Sequence, residues 1–342
     1  MPARSTLRRG ADFVAAGLAT DPAIVDRVAA RYAVAVTPIL AGLIDANDPD
    51  DPIARQFIPD ARELDPNARD LIDPIGDHTH SPRRGIVHRY PDRVLLTPLL
   101  HCPVYCRFCF RRERVGGAEK NLSEAEMAAA LDYIRDHSEI WEVVITGGDP
   151  LMLPPARLAA LLADLEAIPH VQTIRLHSRI PVADPARIND KMIAALSLQR
   201  AALWLAVHSN HAREFSEPAI AACRALNRAG VVLLGQTVLL KGVNDDAAIL
   251  ETLFRTMVAQ RIKPYYLHQL DLAPGTEHFR VPIETGQALM RALRGRVSGV
   301  CLPTYVLDIP GGFGKIPVGP VYLRDTEATD WKNEIHSYRI DP

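Results

Sequence analysis

Cys102, Cys106 and Cys109 place three thiols within one short string, His101-Cys102-Pro103-Val104-Tyr105-Cys106-Arg107-Phe108-Cys109. Thiolates are the usual protein ligands of iron-sulfur clusters, and a four-iron cubane held by three cysteines keeps one iron open to a reactant. Zinc is a competing reading, in which His101 or a distant residue completes the ligand set at an unfamiliar interval. The blandest alternative, three buried and unliganded thiols, is weakened by their crowding into one loop. A second chemical stretch is Pro310-Gly311-Gly312-Phe313-Gly314-Lys315. Its lysine is either an exposed charge or a phosphate-binding group. The phosphate-loop reading fails, because Ile316 rather than Ser or Thr follows and the glycines are wrongly spaced.

Other residues gain weight from their position. In Thr146-Gly147-Gly148-Asp149-Pro150 two glycines allow a backbone to approach a ligand closely and expose its carbonyls, although a tight turn explains them as well. His208 and Gln236 lie in apolar runs. An isolated histidine of that kind is more often structural than a ligand.

These residues must be carried by a regular scaffold. From Arg93 onward, short apolar runs at 93–98, 142–146, 173–177, 202–208, 231–239 and 264–270 alternate with helical patterns at 123–137, 155–167, 186–196, 217–229, 246–260 and 285–296. Six βα units in series imply an α/β fold with a parallel sheet, as a closed or curled barrel or as a doubly wound sheet. A last strand at 304–307 leads into the glycine-rich loop. In such architectures ligands collect at the carboxyl ends of the strands, which is where the cysteines, the Gly147-Gly148 pair and Lys315 fall. Residues 1 to about 72 read as a helical cap or interaction segment, with helical spacing at 11–19, 24–35 and 38–46 and Asp-Pro and Thr-Pro breaks. Residues 73–84 are an irregular lead-in, 73–318 the sheet domain and 319–342 a tail.

Composition narrows the function classes. Hydrophobic residues make up 48% and charged residues 23%, with a formal net charge of -2, so neither disorder nor bulk nucleic-acid binding is indicated. No apolar run is long enough to span a bilayer. The segment after Arg8 and Arg9 only faintly mimics a signal peptide, since Asp12 interrupts it. Five cysteines with three clustered argue against a secreted disulfide framework and for a reducing, cytoplasmic setting, with Cys223 and Cys301 as core thiols.

The spacing CxxxCxxC after a strand resembles the signature of the radical S-adenosylmethionine superfamily, and the longer string Cys102 to Arg112 is similar to that of the lysine 2,3-aminomutase family, with similarity running from about Asp73 to about Val318. The resemblance implies a partial (β/α)6 radical-SAM barrel with an N-terminal helical segment. It implies a [4Fe-4S] cluster on Cys102, Cys106 and Cys109 whose open iron chelates S-adenosyl-L-methionine, with Gly147, Gly148, Asp149, Ser178, Arg179, His208 and Gln236 around that cofactor. Lys315 would hold pyridoxal 5′-phosphate covalently, its phosphate met by Arg89, Tyr90 and Arg93, which otherwise read as a solvated basic edge. Phe313 replaces one glycine of the family's loop. Arg111 would pair with the substrate carboxylate, and Asp271 and Asp308 with the distal ammonium of L-lysine; two carboxylates without such a cation repel and raise each other's pKa.

The implied reaction moves the α-amino group of L-lysine to the β-carbon, giving β-lysine by way of a 5′-deoxyadenosyl radical. It implies an electron-donor protein such as flavodoxin or ferredoxin and a homo-oligomer, with neither nucleic acid nor membrane as partner. No structural zinc is expected, since Asp246 stands where the family's internal zinc cysteine would lie and no cysteine follows Cys301. Phe108 and the short length resemble instead the branch that modifies a lysine of elongation factor P, whereas Asp308 to Lys315 resembles the free-lysine enzymes. A non-catalytic iron-sulfur or zinc scaffold is the alternative from another class.

Overall fold

The computed structural model describes residues 5–117 and 119–338. Four short helices open the chain: α1 (Gly10–Ala15), α2 (Pro22–Ala29), α3 (Pro38–Leu43) and α4 (Pro52–Phe57). The Asp-Pro and Thr-Pro breaks are helix starts. Asp21, Thr37 and Asp51 accept hydrogen bonds from first-turn amides, and a proline with no amide to satisfy follows each. The last of these helices lies beyond the three stretches of helical spacing expected in this segment. Phe13, Val25, Leu40, Ile53 and Phe57 form a separate apolar cluster, which also takes in Val104 of the cysteine loop and Ala183 of the barrel.

The rest of the chain builds a nine-stranded sheet in sequential order. An antiparallel hairpin, β1 (Ile86–Tyr90) and β2 (Arg93–Leu99), starts it. Then follow α5 (Glu124–Asp136), β3 (Glu142–Gly147), α6 (Pro155–Glu166), β4 (Thr173–Ser178), α7 (Ile180–Ala183), α8 (Asp190–Ala195), β5 (Ala202–His208), α9 (Glu217–Arg228), β6 (Val232–Val238), α10 (Ala247–Ala259), β7 (Ile262–His268), α11 (Ile283–Leu293) and β8 (Thr304–Ile309). β2 through β8 are mutually parallel, and β9 (Gly314–Pro317) returns antiparallel on β8. A small outer sheet of β10 (Leu323–Arg324), β11 (Glu327–Thr329) and β12 (Ile335–Ser337) follows, where only a tail was expected.

The helices expected over 11–19 and 24–35 end early, at Ala15 and Ala29, and two later elements also differ. The helix expected over 186–196 begins only at Asp190, where the Asn189 side chain accepts from the Met192 amide and starts the helix later. The strand expected over 264–270 runs two residues earlier, because Pro264 sits opposite Gly235 at a bulge inside the strand rather than at its start.

The alternation along the strands decides what the sheet encloses. Val94, Leu96, Val143, Ile145, Ile174, Leu176, Leu203, Leu205 and Val207 face outward into the main core, against the helices. Their neighbours at the opposite parity include Arg93, Glu142, Arg175, His177 and His208, all half-buried, so the inner face is polar. The two sheet edges, β1 and β9, are joined across the seam. The Lys315 amide donates to Tyr90 Oη at 2.7 Å, and His80 Nε2 lies 3.0 Å from the Gly312 carbonyl. Gly76 and Gly312 touch backbone to backbone there, both at positive φ. The sheet is therefore a nearly closed barrel.

A buried triad ties the N-terminal segment to the cysteine loop. Glu63, fully buried, receives Arg107 Nε at 3.0 Å and Nη2 at 2.5 Å, and Arg112 Nη2 as well. Arg107 Nη1 also donates to the Ala33 carbonyl at 2.9 Å, and Arg112 Nη1 to the carbonyls of Arg107 and Gly275. Removing one partner of a buried ion pair strands the other's charge, which costs several kcal/mol. Glu63→Ala is expected to lower unfolding free energy by about 3 kcal/mol in urea titration, and an effect below about 1 kcal/mol would contradict this account.

Candidate active site

The cysteine loop lies directly beyond the carboxyl end of β2, and its thiols are free. Burial pushes all three upward, Cys106 to about 11. Thiols so buried hold a charge only against a compensating cationic group. Tetrahedral zinc gathers its sulfurs to roughly 3.8 Å of one another. Among the described residues, the one set of metal-binding side chains with all ligand atoms within 4.8 Å is Asp330, Glu334 and His336, on the outer sheet. Asp246 caps α10, accepting from the amides of Ala248 and Ile249.

β3 presses against this loop. The Gly148 amide donates to the Leu99 carbonyl at 2.7 Å and the Asp149 amide to the His101 carbonyl at 2.8 Å. A Cβ on Gly148 would collide with the His101 backbone, and Gly147 adopts φ +103 beside Thr97 and Leu99. Close approach, rather than a simple turn, explains both glycines. The Asp149 carboxylate is spent internally. It accepts from Ser178 Oγ at 2.8 Å, the Arg179 amide at 2.7 Å and the amides of Leu151 and Ile180. Burial nevertheless raises it to about 6. Asp149 and Ser178 thus lock the end of β3 to the end of β4. Arg179 turns its guanidinium toward fully buried Glu214 at 2.6 Å and lies 5.6 Å from the Phe108 ring centroid. Phe108 itself packs edge-on to Phe279.

Further around the mouth, His208 and Gln236 are register partners on β5 and β6, and Gln236 is paired with Tyr266 on β7. His208 Nε2 lies 3.2 Å from His177 Nδ1. Burial first, then the Arg179 charge, pushes His208 down to about 3, so it is neutral at ordinary pH.

The second half of the site centres on Lys315. Asp308 and Lys315 are register partners on β8 and β9, and Lys315 Nζ contacts Asp308 Oδ2. The same amine lies 3.4 Å from His268 Nδ1 and 5.6 Å from the Tyr266 ring centroid. Burial works to raise the Asp308 carboxyl, but the neighbouring His268 ring and the Lys315 charge outweigh it and hold it well below the usual range. Gly311, Gly312 and Gly314 all have positive φ, whereas Phe313 does not. The one glycine of the family pattern that this chain lacks is therefore not required by the loop, and Phe313 points into solvent, 81% exposed.

Arg89 is no solvated edge. Its Nη2 donates to the Ile75 carbonyl at 2.5 Å and lies 3.3 Å from Asp77, while its Nε is buried without a partner. Arg111 Nη2 donates to the same Asp77 carboxylate at 2.8 Å. Arg93 covers the Tyr90 ring at 3.9 Å. Asp77, His268 and Tyr266 were absent from the sequence assignment. Asp77 was hidden in an irregular segment, while His268 and Tyr266 stood in an apolar strand whose inward parity could have marked them. The orphaned Nε of Arg89 and Nε2 of His268, with the amine of Lys315, leave donors and an amine of the kind an anionic aldehyde cofactor would use. Asp271 lies three residues beyond β7, and burial, then the Asp308 carboxylate, raises it to about 7.

Two outcomes are expected. Gly148→Ala should lower the iron bound on anaerobic reconstitution and cost about 2 kcal/mol of stability, as overpacking does; full iron loading would contradict the close-approach account. The Asp271 carboxyl titrates near ~4 when unfolded. A pKa raised in the folded state contributes stability that is fully present below about 4 and lost as pH rises through about 7. Asp271→Asn should therefore raise ligand-free stability at about pH 8 by ~2 kcal/mol, half the nominal linkage value because solvent reaches part of the residue. Melting curves of both proteins across that range measure it.

Residues 96–253 match the Radical SAM superfamily and residues 290–330 the family described as Lysine-2,3-aminomutase. L-lysine 2,3-aminomutase of Clostridium subterminale is 43% identical over 290 residues, 85% of this chain and 70% of that protein. Glutamate 2,3-aminomutase of Clostridioides difficile is 38% identical over 307 residues, 90% and 72% of the two chains. L-lysine 2,3-aminomutase of Escherichia coli K12 is 37% identical over 287 residues, 84% and 83%. Similarity of this extent removes the reading as a non-catalytic scaffold. The chain belongs to the lysine 2,3-aminomutase family within the radical SAM superfamily, isomerases that work with S-adenosylmethionine and a [4Fe-4S] cluster.

Proposed function

We propose that this protein is a pyridoxal phosphate-dependent L-lysine 2,3-aminomutase, moving the α-amino group of free L-lysine to its β-carbon. The observation that carries the substrate is the pair of carboxylates, Asp271 and Asp308, near the Lys315 amine, with Asp271 raised to about 7 until a cation arrives. A substrate with a distal carboxylate would instead add repulsion of ~4 kcal/mol per close contact at an effective dielectric near 20. That argument favours lysine over glutamate, although relatives named for each are similar to this chain.

Each part of the chain has a task in this reading. Residues 1–72 support the cluster loop, 73–318 carry both cofactor sites, and 319–342 form an outer tail. Cys102, Cys106 and Cys109 hold the cluster, and Gly147 and Gly148, steadied by Asp149, Ser178 and Arg179, present backbone to S-adenosylmethionine beside His208 and Gln236. Bound there and reduced by one electron, that cofactor supplies a carbon radical able to take a hydrogen atom from substrate. Lys315 holds the pyridoxal group, and Arg89, Tyr90 and Arg93 meet its phosphate. Arg111 takes the substrate carboxylate in exchange for part of its pairing with Asp77. The protein contributes orientation and exclusion of water. The reading includes a cytoplasmic, oligomeric enzyme served by a flavodoxin- or ferredoxin-type donor.

Anaerobic protein reconstituted with iron and sulfide, then given S-adenosylmethionine, reductant and pyridoxal phosphate, is expected to convert L-lysine to β-lysine and to leave L-glutamate unchanged. No β-lysine, or turnover of glutamate alone, would overturn the substrate assignment. Addition of unmodified elongation factor P separates free-lysine metabolism from the modification pathway, since only the latter transfers label from lysine to that protein when its ligase is present. Asp308→Asn should lower kcat/KM for lysine by about 10²-fold, the loss of a charged contact worth ~3 kcal/mol.

A further inference from the structure

We propose that His268 is the group that receives the proton Lys315 must lose before its amine can bond to an aldehyde carbon. This rests on the reading of Lys315 as the residue that holds pyridoxal phosphate. An ammonium has no lone pair, so bonding requires that a proton leave Nζ first. Three side chains surround Nζ: the Asp308 carboxylate, His268 Nδ1 at 3.4 Å and the Tyr266 ring at 5.6 Å. Neither the aromatic face, which has no basic lone pair, nor Asp308, whose carboxyl is held well below the usual range, is a ready acceptor for that proton. Tyr266 already carries its own proton, held by burial and by the Tyr265 hydroxyl at 2.9 Å.

His268 is differently placed. It ends β7 with its ring edge-on to Tyr266, and its Nδ1 lies within reach of both Lys315 Nζ and, at 3.6 Å, Asp308 Oδ2. Its Nε2 is buried without a partner. Burial first and the Lys315 charge second keep the ring neutral, with a pKa of about 4. That second influence disappears as the proton leaves Nζ, and the Asp308 carboxylate then faces an imidazolium instead of an ammonium. The transfer breaks one N–H bond on Lys315 and forms one on His268 Nδ1, and the net charge of the three groups is unchanged. The neutral amine then bonds to the aldehyde carbon, whose oxygen departs as water. Asp308 keeps a cationic neighbour throughout, so neither the buried carboxylate nor the buried cation is left alone.

The test is the rate at which Lys315 captures pyridoxal phosphate, followed by visible absorbance in the absence of S-adenosylmethionine and substrate. Borohydride reduction and peptide mapping identify the modified residue. His268→Gln and His268→Asn are compared with the parent, each checked for the same circular dichroism spectrum. The expected result is a reduced adduct on Lys315 in all three proteins at the same final extent, formed about 10²-fold more slowly in both variants. Parent-like rates in either folded variant overturn the proposal while leaving Lys315 as the cofactor residue. A fall in final extent that accounts for the fall in rate also overturns it, since packing alone would do that. No adduct on Lys315 in the parent protein removes the pyridoxal reading and this inference with it.

Discussion

Charge compensation inside a nearly closed sheet is the constraint on which the other features depend. The outward face of the strands supplies the apolar core, and the inward face carries arginines, carboxylates, histidines and a lysine. Many of the buried charges meet an opposite: Glu63 with Arg107 and Arg112, Glu214 with Arg179, Asp77 with Arg89 and Arg111, Glu142 with Arg175, Asp308 with Lys315. Such pairs add little net stability, because desolvation consumes most of the attraction. Their value is positional. They hold long, flexible side chains in single orientations around a polar interior that water would otherwise fill.

Two of these pairs reach between parts of the chain far apart in sequence, and that reach makes the N-terminal helices part of the site's support. Glu63 fastens the cysteine loop from behind, and the Gly275 carbonyl on Arg112 brings the loop after β7, which carries Asp271, into the same bracket. Asp77 does the corresponding work at the other side, joining the lead-in to Arg111 and Arg89. Arg111 and the loop that carries Asp271 are thus held by segments outside the regular βα units.

What could be read in the residues was mostly local. The cysteine spacing, the Gly147-Gly148 pair, the Asp-Pro and Thr-Pro breaks and the βα alternation all express preferences within a few neighbouring residues, and the structure keeps them with shifts of up to six residues at the element ends. Strings such as Thr173-Ile174-Arg175-Leu176-His177-Ser178 also announce a polar inner face, since every second position is apolar and its neighbours are not. Pairings set by the tertiary path were not legible: nothing near Glu63 or Asp77 indicates the arginines they meet 12 to 49 residues later. The parity of its strand turns His268 inward, but its place beside Asp308 and Lys315 follows only from the tertiary path. The Phe313 departure shows the converse, a pattern difference without backbone consequence, because the required left-handed positions are its glycine neighbours.

The seam between β1 and β9 behaves as a split ring clasped by a loop. Where Gly76 meets Gly312, two main chains touch with no side chain between them; one added carbon on Gly76 would act as a wedge against the Gly312 backbone, and one on Gly312 would strike the His80 ring. Such a wedge would push Tyr90 away from the Lys315 amide and widen the ring at its gap, without loosening any strand from its partner. The bore of the barrel is therefore gauged by two hydrogen atoms, and a change there would alter what fits inside long before it altered whether the protein folds.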